Sequence, residues 1–366
     1  MLAIKAPLGS INELRKILME REIIARNYKI LTENNFGYIP IKEEIDEETI
    51  EKIKKNLNNK LNDLNNNNLV KTLNLEIVEK DLKQLKKDPQ SLTEHLKGKL
   101  NEEEIEELKT SFDIIGDIVI LEIPENLQEY KDIIGNAALD FTKRKAIFMK
   151  KSPIEGITRT RQLEHIAGDE ITETIHKEHG IRLKLDTRKV YFSPRLATER
   201  KRVSKQVKEN EVILDMFAGI GPFPIIIAKD KIVNIFAVDI NEEAIKYMNE
   251  NIKLNKLKGK ITPILGDINE IAKEKFIKKD IKFDRIIMNL PGTGKDFLDL
   301  AISLLNDGGI IHYYEFSDSY ESGTERIKKV AKSQNKEVEI LATRKVKSSS
   351  PGQWHVVIDG KIKNMW

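Results

Sequence analysis

From residue 212 onward, short apolar runs alternate with stretches whose apolar positions recur every three or four residues. That is the pattern of strands alternating with helices. The apolar runs are Val212–Met216, Val233–Val238, Ile261–Leu265, Phe283–Met288 and Gly309–Phe316. The helical stretches begin at Pro222 and cover Glu242–Lys253, Ile268–Lys275, Asp296–Leu305 and Tyr320–Ala331. Five β-α repeats predict a parallel sheet with helices on both faces, because parallel neighbours need a crossover between them. Glu337–Val346 and Trp354–Ile358 have only Lys347-Ser348-Ser349-Ser350-Pro351-Gly352 between them, so they predict an antiparallel edge. The elements predict an α/β fold class, with a mostly parallel sheet and an antiparallel edge strand over 181–366, preceded by two smaller α+β domains.

The first of these covers 1–42. Leu2–Ile4 reads as a strand, and Ser10-Ile11-Asn12-Glu13 as a capping box opening a helix with Ile11, Leu14, Ile17 and Leu18 on one face. Tyr28–Leu31 and Tyr38–Ile41 flank Thr32-Glu33-Asn34-Asn35-Phe36-Gly37 as a hairpin. So small a core suits a docking or recognition module better than a catalytic one. Residues 43–71, acidic at first and then rich in Asn, Leu and Lys, read as a flexible linker. Residues 72–180 hold an apolar strand near 112–123, an amphipathic helix over Asn126–Phe141, and the basic runs Lys143-Arg144-Lys145 and Lys150-Lys151.

Composition narrows the class. The chain has 366 residues, 40% of them hydrophobic, enough for more than one buried core. Mean hydropathy is −0.43, and no apolar run approaches the roughly 18 residues of a membrane span. The first residues lack a signal peptide's apolar stretch, which points to a soluble, cytoplasmic protein. Without cysteine there is no disulfide framework, thiolate nucleophile or cysteine zinc site. His176 and His179 could share a helix face, but no third ligand is evident, and no metal is expected. Trp354 and Trp366 read as packing or terminal anchors. The net charge of +3 conceals an asymmetry: residues 142–208 carry 18 Lys and Arg against 8 Asp and Glu. A basic block in an otherwise acidic chain points to a polyanion, nucleic acid first among them.

Leu214-Asp215-Met216-Phe217-Ala218-Gly219-Ile220-Gly221-Pro222-Phe223 follows the first strand of the repeat. Gly219 and Gly221 permit a tight turn and close approach of a ligand. A dinucleotide fingerprint needs a third glycine where Pro224 stands. A phosphate-binding P-loop is excluded too: Gly292-Thr293-Gly294-Lys295 lacks the upstream glycine and the following hydroxyl. S-adenosylmethionine fits. It has no pyrophosphate, and it needs room for its methionine part, carboxylates for its ribose and polar edges for its adenine. Asp239-Ile240, Asp267-Ile268 and Asn289 close three successive strands, where α/β sheets bind ligands. With Phe217, Ala218, Gly219 and Gly221 they are the candidate cofactor residues.

Arg159-Thr160-Arg161, Thr172-Glu173-Thr174-Ile175-His176, Arg182-Leu183-Lys184-Leu185-Asp186, Tyr191-Phe192-Ser193-Pro194-Arg195-Leu196-Ala197-Thr198-Glu199-Arg200 and the glycine loop extend this reading. Together they resemble the archaeal and eukaryotic tRNA (guanine-N1)-methyltransferase family, Rossmann-like class I enzymes acting on the purine 3′ of the anticodon. The N-terminal module, with Asn27-Tyr28-Lys29-Ile30 and Tyr38-Ile39-Pro40-Ile41, resembles that family's elbow-contacting domain. The resemblance covers nearly the whole chain and lapses in the asparagine-rich segment.

The resemblance implies Glu199 as the base that removes the N1 proton of guanine. Read alone, Glu199 is a surface glutamate paired with Arg200 or Lys201. Arg159 would stabilise charge on O6, or bind phosphate with Arg161 in its stead. Asn289 would orient the base or the cofactor, Pro291 shape its loop, Tyr191 wall the guanine, and Arg195 reach the cofactor's carboxylate. Lys143, Arg144, Lys145, Lys150, Lys151 and Arg161 would hold RNA phosphates. Asn289-Leu290-Pro291-Gly292 departs from the Asn/Asp-Pro-Pro-aromatic motif of exocyclic-amine methylation, which favours a ring nitrogen. The partner implied is tRNA, bound at anticodon loop and elbow by a monomer. Two alternatives remain: a wyosine-pathway enzyme on the same fold, transferring aminocarboxypropyl or a further methyl group, and a non-catalytic tRNA-binding protein.

Overall fold

The computed structural model of the protein describes residues 1–63, 73–85, 89–152, 156, 158–350 and 352–365. Residues 64–71 of the expected linker, Pro351 and Trp366 lie outside them. The chain divides into two compact units, Met1–Gln90 and Ser91–Trp366.

In the first unit an antiparallel sheet has the order Leu31–Glu33, Phe36–Pro40, Leu2–Pro7, Glu76–Glu79. The hairpin turns on Asn34-Asn35 alone, both at positive φ, a conformation asparagine tolerates better than most residues. Helix Ile11–Glu20 buries the four predicted apolar side chains. The predicted capping box does not form. A 3₁₀ turn, Leu8–Ser10, runs straight into the helix, and the Ser10 hydroxyl donates back to the Pro7 carbonyl at 2.7 Å.

The expected module boundary at 42 moves, because Glu76–Glu79 pairs with Leu2–Pro7 and completes the sheet. The expected flexible linker is, over Glu47–Asp63, an α-helix. Ile53, Leu57 and Leu61 recur at helical spacing and pack, fully buried, with Leu14, Ile17 and Leu18. Polar asparagines and lysines on the opposite face masked this apolar stripe.

After two short helices, Leu92–Leu96 and Glu102–Glu107, the second unit forms a four-stranded sheet, Asp113–Ile115, Ile118–Leu121, Ala146–Lys150 and Leu163–Gly168 in that order. The single strand expected near 112–123 is a hairpin turning on Gly116-Asp117. Gly116 has φ +56°, and an added Cβ would lie 2.2 Å from Thr174 Oγ1, so no side chain fits. Helix Lys131–Thr142 makes the parallel crossover from Ile118–Leu121 to Ala146–Lys150. Glu173–Glu178 and Ile181–Asp186 form a second hairpin. The expected boundary at 180/181 therefore falls within one turn. His176 lies on the first strand of this hairpin and His179 in its turn, so they share no helix face.

The main sheet contains β1 (Val212–Asp215), β2 (Asn234–Asp239), β3 (Lys260–Leu265), β4 (Phe283–Met288), β5 (Leu305–Ser317), β6 (Lys336–Ser350) and β7 (Gln353–Asn364). Their order is β3-β2-β1-β4-β5-β7-β6. The first five are parallel, and β7 inserts antiparallel between β5 and β6. Strand order reverses between β1 and β4, which opens a crevice at their carboxyl ends. Among the described residues no helix is long and apolar enough to cross a membrane.

Leu57→Ala is expected to destabilise the first unit by about 2–5 kcal/mol. Denaturant unfolding followed by hydrogen exchange within 1–90 reads this loss, which a solvated linker would not show.

Candidate active site

The glycine loop leaves β1 at Asp215 and enters helix Pro222–Asp230. Gly219 has φ +56°, and the nearest atom to an added Cβ would be the Tyr191 carbonyl oxygen at 3.9 Å, so the space above it is open. Its amide donates to Asp239 Oδ2 at 2.6 Å, while the Asn241 amide donates to Oδ1 at 2.9 Å. Burial raises the Asp239 carboxyl above the usual range, against these amides, which lower it. Asp267, at the end of β3, accepts from the Asn269 amide at 2.8 Å. Gly221 does different work from the one expected. It has φ +83°, and an added Cβ would lie 2.7 Å from Met248 Cγ, so it is a packing position outside the cavity lining.

A cavity of about 1350 Å³ opens over these strand ends. Phe217, Ala218, Gly219, Asp239, Ile240, Asp267 and Ile268 line one part of it. Arg159, Tyr191 and Asn289 line another, with Lys150, Lys151 and Arg161 also in the wall. The Arg159 guanidinium lies 5.3 Å from the centroid of the Tyr191 ring. Its Nη1 would be 4.0 Å from a Cβ at Gly292, which places it beside the Asn289–Gly292 loop. Asn289 Oδ1 is buried without a hydrogen-bond partner among the described residues. Pro291 is not in the lining; its carbonyl accepts from the Phe316 amide at 3.2 Å and ties the loop to β5.

Other predicted residues stand apart. Arg195 is half-exposed and paired with Asp113 at 2.6 Å, on a smaller neighbouring hollow of about 220 Å³. It does not line the main cavity, so the expected contact with a cofactor carboxylate has no support. Lys143, Arg144 and Lys145 are exposed outside the lining, and Lys145 pairs with Asp117.

Glu199 departs most from its expected surface setting. It is 2% exposed and does not line the cavity. Arg202, one helical turn on, donates to it through Nε at 2.9 Å and Nη2 at 2.6 Å, and the Tyr314 hydroxyl donates at 2.7 Å. The expected partners are engaged elsewhere: Arg200 grips Glu178 and the Ser193 carbonyl, and Lys201 pairs with Asp230. Burial and the Glu199 carboxylate hold the Tyr314 phenol well above its usual range, so it remains a donor.

Sequence reasoning missed Arg202, Tyr314, His312, Asp359 and Asp215. A signal existed. In β5, His312, Tyr314 and Phe316 alternate onto one face, and Asp359 interrupts an apolar run in β7. Polar residues inside apolar strands mark a buried network. Asp215 is 1% exposed, its Oδ2 has no partner among the described residues, and burial pushes its carboxyl up to about 8.

Residues 174–341 match the TRM5/TYW2 methyltransferase domain, 92–172 the TYW2 N-terminal domain, and 3–50 the tRNA methyltransferase 5 N-terminal domain. The chain is similar to the tRNA (guanine(37)-N(1))-methyltransferase Trm5b of Pyrococcus abyssi, with 46% identity over 365 residues and 99% of each chain. It is also similar to a tRNA(Phe) (4-demethylwyosine(37)-C(7)) aminocarboxypropyltransferase of Methanocaldococcus jannaschii, with 40% identity over 255 residues, 69% of this chain and 97% of that one. Among solved structures, a complex of aTrm5 with tRNALeu superposes with a TM-score of 0.78 at 37% identity, over 99% of both chains. The M. jannaschii Trm5 complex with adenosine gives 0.64 at 36% identity, over the whole of both.

Asp215 is neutral in the folded protein up to about pH 8 but ionises from about pH 3.8 when unfolded. The contribution of Asp215 to stability is therefore full below the lower value and is lost as pH rises through the upper one. Asp215→Asn is expected to flatten this decline, read by denaturant unfolding at a series of pH values.

Proposed function

We propose that this chain, which belongs to the TRM5/TYW2 methyltransferase family, transfers the methyl group of S-adenosylmethionine to N1 of guanosine 37 in tRNA. The carrying observation is the single cavity that joins the open glycine loop and the strand-end acids to Arg159, Tyr191 and Asn289. It stands beside whole-length similarity to a guanine-N1 enzyme.

The residues present fit the cofactor. Gly219 leaves its approach open, Asp239 and Asp267 offer carboxylates to ribose and adenine, and the buried Asn289 Oδ1 has no donor among the described residues, one that a ligand can supply. When bound, S-adenosylmethionine supplies a methyl group on a sulfonium, open to in-line displacement.

Guanine N1 carries a proton at neutral pH and has no free lone pair, so the chain must remove that proton. Glu199 takes it, and its carboxylate must first turn from Tyr314 and Arg202 toward the cavity. Arg159 donates to O6 as charge gathers there, with its guanidinium held against Tyr191. Asn289 accepts at the nucleobase edge or the cofactor. Lys150, Lys151 and Arg161 hold phosphates around a flipped base, and Lys143, Arg144 and Lys145 extend this basic surface. The protein acts as a cytoplasmic monomer, and its first unit contacts the tRNA elbow.

The aminocarboxypropyl reading has a relative behind it, but that similarity stops at 69% of this chain, whereas the guanine-N1 relative spans 99%. The open, intact glycine loop speaks against a non-catalytic binder.

Incubated with S-adenosylmethionine and an unmodified transcript bearing G37, the purified protein should yield 1-methylguanosine by nucleoside mass analysis. A different nucleoside would overturn the reading. Glu199→Gln should lower the single-turnover rate by about 10²–10⁴-fold, and Arg159→Ala by about 10²-fold, with little change in cofactor affinity. Deleting 1–90 should weaken tRNA binding while cofactor titration is unchanged; equal tRNA affinity would remove the elbow role.

A further inference from the structure

Behind Glu199 runs a continuous chain of buried charged and polar groups. Arg202 stands between two carboxylates. It donates to Glu199 on one side and to Asp359 on the other, with Nη2 3.1 Å from Asp359 Oδ1 and Nη1 in a close contact with Oδ2. Gln206 also donates to Asp359, at 3.2 Å. His312 lies beyond, with Nδ1 2.7 Å from Asp359 and Nε2 2.8 Å from Arg285 Nη1. A guanidinium can only donate, so His312 accepts at Nε2 and carries its proton on Nδ1. Arg285 is held in turn by Glu211 at 2.7 and 3.0 Å. Asp359 is 1% exposed, and His312 and Arg285 are fully buried.

Such a chain has one plain consequence for Glu199. One guanidinium serves two buried anions, so neither carboxylate receives its full charge. Arg202 from its own helix and Tyr314 from β5 touch Glu199; Asp359 from β7, His312 from β5 and Arg285 from β4 follow behind Arg202, and His355 from β7 packs against the Tyr314 ring. The arginines stay charged and Tyr314 stays protonated. Burial keeps His312 neutral, and burial with Lys347 and Arg159 nearby lowers His355 to about 3. Asp359 is held anionic by His312 and Arg202 despite its burial.

We propose that Asp359 is a positioning residue for the base: acting through Arg202, it divides the guanidinium between two carboxylates and so keeps Glu199 able to accept the N1 proton. This rests on Glu199 being the base. Without Asp359, the whole charge of Arg202 bears on Glu199, which then resists protonation. Without Arg202, Glu199 faces Asp359 unshielded and is protonated more readily.

The test is the pH dependence of the single-turnover rate, at saturating S-adenosylmethionine and tRNA transcript. D359N should move the acid limb to lower pH by about one unit and lower the plateau about three- to tenfold. R202Q should move the limb the opposite way, and it can be read even if D359N does not fold. Unchanged cofactor affinity reports that each variant is intact. Opposite shifts support the proposal; lower rates with the limb in place in both variants overturn it. E199Q separates the two failures. If E199Q turns over at the parental rate, Glu199 is not the base; if E199Q is inactive and the limbs stay put, only the role of Asp359 fails.

Discussion

Two crossovers that leave the main sheet in opposite directions cannot cover the point where they part. β1 connects outward to β2, and strand order then reverses at β4, so the carboxyl ends of these strands open into a crevice. Asp239, Asp267 and Asn289 end their strands at this opening, and the glycine loop of β1 borders it. The hydrogen bond from the Gly219 amide to Asp239 ties the β1 loop to the end of β2. It holds the backbone close to the acid while leaving the space above the glycine empty.

The sheet also carries the proposed proton chemistry, on its other functional residues. β7 inserts between β5 and β6 and brings Asp359 opposite His312 in register. Without that insertion Arg202 would have a single carboxylate partner. Burying so many charges is costly, and it is tolerated because each charged group has partners with good geometry. Breaking one link leaves an uncompensated charge in an apolar sheet. The same arrangement explains why Glu199 is withdrawn from the cavity: its hydrogen bonds to Arg202 and Tyr314 satisfy it away from solvent.

The first unit follows a different logic. Its sheet and two helices enclose one small apolar core, completed by a strand near the end of the unit. Asparagine-rich composition concealed the second helix, because composition averages over faces while burial depends on every third or fourth residue. The capping box failed for a local reason: a 3₁₀ turn already occupied the approach to the helix.

Sequence alone determined the α/β alternation, the five parallel strands, the open glycine at 219 and the acids at strand ends, because periodicity and turn chemistry are local. The end of β4 put Asn289 among the candidates, and resemblance to a known family added Arg159 and Tyr191; the fold gathers all three into one cavity. Only the tertiary structure decided that Glu199 is buried against Arg202 and Tyr314, that Arg195 is held by Asp113, and that Gly221 serves packing. The pairings of Arg195 with Asp113 and of Tyr314 with Glu199 join residues 82 and 115 positions apart, and the packing of Gly221 depends on which face of a helix it meets. No local pattern encodes such pairings, since they arise when sheet register brings distant side chains together.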